Sequence, residues 1–311
     1  MSRSPQVRAR RAAAALARRG PAAAALLGAA GLALLLAAGP LAGQEARGAS
    51  CPWPSTPGVP WADTTAAARH LVSELGSSPA DSALLAAGDT AYERGRHTIA
   101  YAAFAAAVRD AATYEALWKA GRAAVDVGQG IDDEDEVHAW YRRGASYAER
   151  AVAANADAPE GHFVLAEAEG LVALDVGVRE RVSMAKEIRA EALATIRADS
   201  DYAGGWHVLG RWNMGIMELS GPSRFFAKTF LGAQVFGEAS WEKAEEYLKR
   251  ASGLEPERIV HRLELARVYK ETDRPDAARS ELEETLGLPP RDEQDCDYLD
   301  QARELLSDLR D

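Results

Sequence analysis

Apolar residues recur at intervals of three and four along the chain from Asp81 onward, which is the spacing of one face of an α-helix. Runs of alternating β-branched residues, which indicate strands, are missing from this part of the sequence. Single glycines and short polar breaks interrupt the pattern about every fifteen residues. The sequence therefore predicts a series of helical hairpins and an all-α fold.

The hairpins form five units, of which the first and the last each have 34 residues. The predicted units are residues 81–114, 115–158, 159–202, 203–258 and 259–292. The two helices of a hairpin, and the next hairpin, are expected to cross most closely at positions 8, 20 and 27, where only a small side chain lets the backbones approach. Eleven of these fifteen positions are alanine or glycine: Gly88, Ala100, Ala107, Gly144, Ala151, Ala166, Gly210, Ala244, Ala251, Ala266 and Ala278. The exceptions are Arg122, Ile188, Thr195 and Thr285. This regularity favours a stacked solenoid over an irregular helical bundle.

The units resemble the tetratricopeptide repeat, whose position 4 is often tryptophan, as at Trp118 and Trp206. Units two, three and four exceed the period, and we expect their additional residues between the two helices of each pair. Residues 45–80 contain a proline-rich linker and a predicted N-terminal capping helix. Residues 293–311 are predicted to form a C-terminal capping helix.

The irregular unit lengths are more specific than a generic repeat. The segments "LWKAGRAA" and "YAERAVAANADAPEGHFVLAEAEG" are followed by Gly210-Arg211-Trp212, the Phe225–Gly237 stretch and "SWEKA" at 240–244. Over roughly residues 80–288 this order resembles the regulator of microtubule dynamics family, a tetratricopeptide-like group. The resemblance implies a non-catalytic binding protein. Eukaryotic members are associated with microtubules and mitochondrial membranes, and one branch with phospholipids.

The amino terminus is typical of an export signal. Residues 1–44 contain six arginines and no acidic residue, followed by an apolar run and small residues near Ala42. We expect cleavage near Gly43 or Gln44 and a periplasmic or secreted protein. The alternative is an uncleaved anchor in the inner membrane, because residues 21–42 are about long enough to span a bilayer.

The net charge of the chain limits the kinds of partner, and its two cysteines raise the question of a disulfide. Removing residues 1–44 changes the formal net charge from −11 to −17, with 30 basic and 47 acidic residues. Such a surface repels nucleic acids and anionic lipid headgroups, so we expect membrane contact only through an uncleaved N-terminal segment. Cys51 and Cys296 are the only cysteines. They can pair in an oxidising compartment, but an elongated solenoid is expected to keep them apart.

Motifs for chemistry are few. The six histidines are scattered without HExxH, HxH or CxxC spacing, so no metal or cofactor is predicted. The acidic run Asp132–Glu136 lacks the pattern of an EF-hand and is interpreted as a solvated helix start, with adventitious calcium binding as the alternative. No GxSxG motif occurs. We therefore predict that the protein is not an enzyme.

The predicted function is binding of a protein or peptide partner in the concave groove, which the first helix of each hairpin lines. The candidate groove residues are Tyr92, Lys119, Arg122, Phe163, Glu167, His207, Arg211, Met214, Arg267 and Lys270. For Arg122 and Arg211 the alternatives are a salt bridge between repeats and recognition of a carboxylate or phosphate.

The alternative function is a lipid-binding module that shelters an acyl chain near residues 225–236. Phe225, Phe226, Phe230 and Phe236 lie within this stretch, and the first three share one side of a helical wheel. We expect that face to pack on the solenoid, because exposed phenylalanines would promote aggregation. A membrane foot and the lining of a cavity for an acyl chain or apolar peptide are the other interpretations.

Overall fold

The computed structural model describes residues 64–75, 81–131, 133–173, 176, 178–219 and 237–309. Within these residues the chain forms twelve helices and no strand. In chain order they are α1 (Thr64–Leu75), α2 (Asp81–Glu93), α3 (His97–Asp110), α4 (Tyr114–Gln129), α5 (Glu134–Ala154), α6 (Pro159–Val172), α7 (Val178–Ala198), α8 (Ala203–Glu218), α9 (Trp241–Leu254), α10 (Ile259–Glu271), α11 (Pro275–Gly287) and α12 (Glu293–Asp308).

The helices stack as five consecutive hairpins with a cap at each end. Each pair from α2/α3 to α10/α11 packs internally, and each hairpin packs on the next. The inner helices α4, α6, α8 and α10 also contact one another in series. Helix α1 packs on α3, and α12 covers α11 and α10. The predicted all-α solenoid with two capping helices is confirmed.

Small residues mark the closest helix contacts. All eleven alanine and glycine positions of the repeat pattern are buried, as are Ile188, Thr195 and Thr285. A Cβ atom added to Gly88 would lie 2.3 Å from the ring of Phe104. A separation this short is not compatible with an undistorted core, so a larger side chain at Gly88 would require the Phe104 ring to move.

The second unit makes its closest contact one residue before Arg122. A Cβ atom on Gly121 would lie 3.1 Å from the carbonyl oxygen of Gly144, and one on Gly144 would lie 3.1 Å from the carbonyl oxygen of Gly121. Helices α4 and α5 therefore cross at this glycine pair. Arg122, only partly buried, is left beside the crossing rather than in it.

The additional residues of units two and three are helical. Helices α5 and α7 have 21 residues each, against 14 in α3, so the excess lengthens the second helix instead of forming the inserted loop that we expected. Asp133 caps α5, since its side chain accepts a hydrogen bond of 3.1 Å from the backbone N–H of Glu136. Acidic side chains in the first turn also favour the positive end of the helix dipole.

Hydrogen bonds join equivalent positions of successive repeats. Three side-chain bonds connect residues separated by 34 positions: Tyr92–Asp126, Arg258–Asp292 and Arg267–Gln301. The 34-residue period of the apolar pattern thus recurs in these three polar contacts.

Arg258, at the start of α10, lies close enough to Tyr92 of α2 for their charges to interact. Cys296 of α12 is disulfide-bonded, and Cys51, outside the described residues, is the only other cysteine of the chain. The bonded state of Cys296 is contrary to the expectation that an elongated solenoid keeps the two cysteines apart.

Two searches of the described residues were negative. None of their helices combines the length and apolarity needed to cross a bilayer. No group of three or more histidine, cysteine, aspartate or glutamate side chains among them is arranged to hold a metal ion. Residues 21–42, the candidate anchor, lie outside this part of the chain.

Candidate functional site

The candidate site is the concave groove formed by the inner helices α2, α4, α6, α8 and α10. These are the first helices of the five hairpins, and α4, α6, α8 and α10 lie side by side. Because the superhelix is curled, charged and aromatic side chains from distant repeats share this concave space. We call it the groove below.

Two predicted groove residues at its N-terminal end are already engaged. The hydroxyl of Tyr92 donates a hydrogen bond of 2.7 Å to Asp126 Oδ2. Lys119 Nζ lies 2.8 Å from Asp89 and 2.6 Å from Glu115. These contacts tie α2 to α4, so Tyr92 and Lys119 have a structural role whatever else they do.

Arg122 differs, because aromatic rings hold it instead of carboxylates. Its guanidinium carbon lies 3.9 Å from the ring centroid of Tyr92 and 4.9 Å from that of Trp118. No hydrogen bond or ion pair to this guanidinium forms within the described part of the chain, and Nε is buried without an acceptor. Cation–π contacts fix the side chain but leave its N–H groups available.

Glu167 of the next inner helix, α6, is partly buried in the same region. Burial and the nearby charge of Asp126 raise the pKa of its carboxyl group to about 8, although Arg258 and Arg122 oppose the shift. Near neutral pH this carboxyl group is largely protonated. It can then donate a hydrogen bond as well as accept one.

Aromatic side chains continue along the groove from Glu167. The ring of Phe163 packs at 5.2 Å from that of Tyr202, and it also fills the space at Gly204, where a Cβ atom would lie 2.4 Å from the ring. Burial raises the pKa of Tyr202, and its charge interactions include Arg122 and Glu167. Phe163 therefore contributes to packing while its neighbours keep polar groups in the groove.

The cations at the C-terminal end of the groove are paired. Arg211 forms a buried salt bridge with Glu264, whose carboxylate also accepts from Arg267 at 2.8 Å. Lys270 lies 3.2 Å from Asp308 of the capping helix. Of the two alternatives for Arg211, the structure shows the salt bridge between repeats.

His207 and Met214, both on α8, also contact other repeats. His207 Nδ1 lies 3.0 Å from His261 Nδ1, and Glu255 lies 3.5 Å from the other ring nitrogen of His261. Burial lowers the pKa of both histidines, so they are neutral at physiological pH. Met214 is buried in the core between α8, α9, α10 and α11.

Four residues that shape the groove were not among the sequence predictions. Arg258, His261 and Glu264 come from α10 and its N-cap, and Tyr202 caps α8. Their only sequence signal is position, since they occupy the start of an inner helix or its concave side. The candidate apolar contacts Phe225, Phe226, Phe230 and Phe236 lie outside the described residues, so the acyl-chain interpretation stays a prediction.

Comparison with known proteins identifies one family and a recurrent fold. A family model described as regulator of microtubule dynamics protein 1-3 matches residues 84–310. No curated protein matches the chain in sequence. The solved tetratricopeptide repeat protein TTC0263 of Thermus thermophilus is 20% identical, with 73% of this chain and 100% of that chain covered and a TM-score of 0.52.

Two further solved structures are less similar. MamA of Desulfovibrio magneticus RS-1 is 14% identical, with 67% and 94% of the two chains covered and a TM-score of 0.41. Acl4, an assembly chaperone of RpL4, is 19% identical, with 79% and 91% covered and a TM-score of 0.40. At these identities the likeness to TTC0263 supports the tetratricopeptide-like fold alone.

Proposed function

This chain belongs to the regulator of microtubule dynamics protein 1-3 family, and from that premise we propose that it is a non-catalytic scaffold that binds a protein or peptide partner in its groove. The observation that carries the proposal is the composition of the groove around α4 and α6. Aromatic side chains there stand beside Arg122 and Glu167, whose polar groups have no hydrogen-bond partner among the described residues. Concave surfaces with aromatic anchors and unpaired polar groups suit an extended peptide or a partner helix.

The contacts of His162 support a non-catalytic role. Its Nδ1 atom lies 2.5 Å from Glu191, and its Nε2 atom lies 2.9 Å from the carbonyl oxygen of Ala156. Both ring nitrogens are thus engaged, one by Glu191 of α7 and the other by the connection between α5 and α6. A histidine that acts as a general base needs one nitrogen directed at a nucleophile or substrate.

The proposed scaffold works outside the cytoplasm, as a periplasmic or secreted protein or as one anchored in the inner membrane by residues 21–42. The basic and apolar composition of residues 1–44 supports export. The strongly acidic remainder favours protein partners over nucleic acids.

Site-specific photocrosslinking in the native organism tests the groove. A benzophenone amino acid replaces Phe163 in the groove or, as the matched control, Tyr147, an aromatic residue of α5 that packs with Tyr101 on the outer helices. We expect the Phe163 probe to capture a discrete partner, which an excess of the unlabelled protein displaces, and the Tyr147 probe to capture none. Capture from Tyr147 alone, or from neither position, would refute the proposal.

A further inference from the structure

The guanidinium of Arg122 has hydrogen-bonding capacity that the folded chain does not use. Arginine carries five N–H donors in one plane. Tyr92 and Trp118 contact the guanidinium, while Nε is shielded from water and has no acceptor among the described residues. Because Nε is shielded, a ligand in the groove would reach the terminal Nη groups, for which the described residues supply no acceptor either.

Neighbouring carboxylates do not supply the missing acceptor. Asp126 is held by the Tyr92 hydroxyl and lies 3.7 Å from His97. Glu167 forms no ion pair with Arg122, and burial raises the pKa of its carboxyl group to about 8. The guanidinium of Arg122 therefore lacks a direct ion-pair partner among the described residues.

Other arginines of the groove are paired with carboxylates. Arg211 and Arg267 share Glu264, and Arg258 donates a hydrogen bond of 3.2 Å to Asp292. In the described groove Arg122 is the arginine that lacks such a carboxylate. This difference points to a role in binding rather than in holding the repeats together.

The stacking geometry restricts the ligand. The rings of Tyr92 and Trp118 make cation–π contacts with the guanidinium of Arg122. These contacts leave the N–H groups of the guanidinium able to form two parallel hydrogen bonds with a carboxylate. A single negative charge matches the single unpaired cation. A phosphate dianion would be repelled more strongly by the acidic chain and by Asp126 nearby.

We propose that the groove contains a carboxylate-binding site centred on Arg122, which receives a free C-terminal carboxylate or an acidic side chain of the partner peptide. This inference rests on the proposed function. Arg122 supplies the charge and the paired donors, and Tyr92 and Trp118 hold its side chain.

Nuclear magnetic resonance with defined peptide pools tests the site. The probes are three pools of short N-acetylated peptides. The first has a free C-terminal carboxylate and no charged side chain, the second is C-terminally amidated and contains one Asp or Glu, and the third is amidated and neutral. Inorganic phosphate is titrated separately. The observable is the Nε–Hε resonance of Arg122, assigned by its loss in Arg122→Lys. Arg122→Met removes the site. Arg143→Met is the matched control, because exposed Arg143 of α5 also stacks on an aromatic ring, 4.2 Å from the centroid of Trp140.

We expect one or both carboxylate-bearing pools to shift the Arg122 resonance, and the pool that does so identifies the source of the carboxylate. Arg122→Met should weaken this binding at least about tenfold, whereas Arg143→Met should leave it unchanged. Circular dichroism verifies that both variants are folded. The proposal is overturned if neutral amidated peptides bind equally well, if Arg122→Met binds as the wild type does, if only phosphate shifts the resonance, or if no pool shifts it at about 10 mM.

These outcomes separate the site from the scaffold function. If the Phe163 probe captures a partner equally in the wild type and in Arg122→Met, the scaffold stands and the carboxylate site is wrong. If the peptides shift Arg122 but neither crosslinking position captures a protein, the site exists and the scaffold proposal is wrong.

Discussion

Replacing Gly144 with alanine tests the packing on which the solenoid depends. Gly144 of α5 faces Gly121 of α4 across the helix crossing. A Cβ atom there would lie 2.7 Å from a methyl group of Val125, which is fully buried, and 3.1 Å from the carbonyl oxygen of Gly121. The methyl group of Val125 can rotate away only into a filled core, and the backbone oxygen cannot move without its helix.

The expected loss is the balance of two opposing effects. Alanine is favoured over glycine in a helix interior by about 1 kcal/mol. Overpacking a filled core costs roughly 1–3 kcal/mol, and the contact with a backbone atom places Gly144→Ala toward the upper end of that range. We therefore expect Gly144→Ala to lower the free energy of unfolding by about 2 kcal/mol.

Gly253→Ala is the matched control. Gly253 is exposed near the end of α9, and an added Cβ atom would meet nothing within 4 Å. This variant should be unchanged or more stable by up to about 1 kcal/mol. Urea unfolding followed by circular dichroism measures both variants.

A double-mutant cycle with Val125→Ala separates the clash from other effects. Val125→Ala removes the methyl group that the new Cβ atom would strike. The double variant should therefore be less destabilised than the sum of the two single variants, by about 1 kcal/mol or more. Additive losses, or a Gly144→Ala variant as stable as Gly253→Ala, would refute the claim that small residues set the distance between these helices.

Two predictions concern buried carboxyl groups. The pKa of Glu167 is raised in the folded state from 4.5 to about 8, so the folded chain binds the extra proton and stability falls as the pH rises between these values. Glu167→Gln should remove this pH dependence of stability. By pH 8 its free energy of unfolding should exceed that of the wild type by a few kcal/mol, since each pKa unit corresponds to about 1.4 kcal/mol. Parallel pH profiles of the free energy of unfolding for the two proteins would contradict this prediction. Glu264→Gln leaves buried Arg211 without its partner and should cost about 3–5 kcal/mol in urea unfolding, whereas the exposed pair partner Asp300→Asn should change stability by less than about 1 kcal/mol.

The fold follows from sequence because its determinants are local and repeated. Apolar spacing predicts the helices, and a buried small residue such as Gly88 or Ala251 recurs wherever two helices must approach. A solenoid contacts mainly its nearest neighbours, so a pattern within one unit also fixes how units stack. The additional length of units two and three was misplaced for the opposite reason. Whether ten more residues lengthen a helix or form a loop depends on packing by the next hairpin.

The groove could be predicted only in outline. Its inner helices follow from the repeat, and ten candidate residues follow from their positions on those helices. Their pairing does not, because Arg211 meets Glu264 across 53 positions and His207 meets His261 across 54. These separations depend on the extra residues of unit four and on the curl of the superhelix. The charge state of Glu167 likewise depends on burial and on Arg258, which lies far along the chain at the start of α10.

Arg122 shows how a shift of one residue links packing to binding. In the 34-residue register it falls at position 8, where a large cation would separate the helices. Gly121, the preceding residue, makes the close contact with Gly144 instead. Arg122 then lies beside Tyr92 and Trp118. Because adjacent positions on a helix are about 100° apart, the glycine faces the crossing while the arginine faces away from it. The same local displacement that keeps the solenoid closely packed therefore places in the groove an arginine that has no direct ion-pair partner among the described residues.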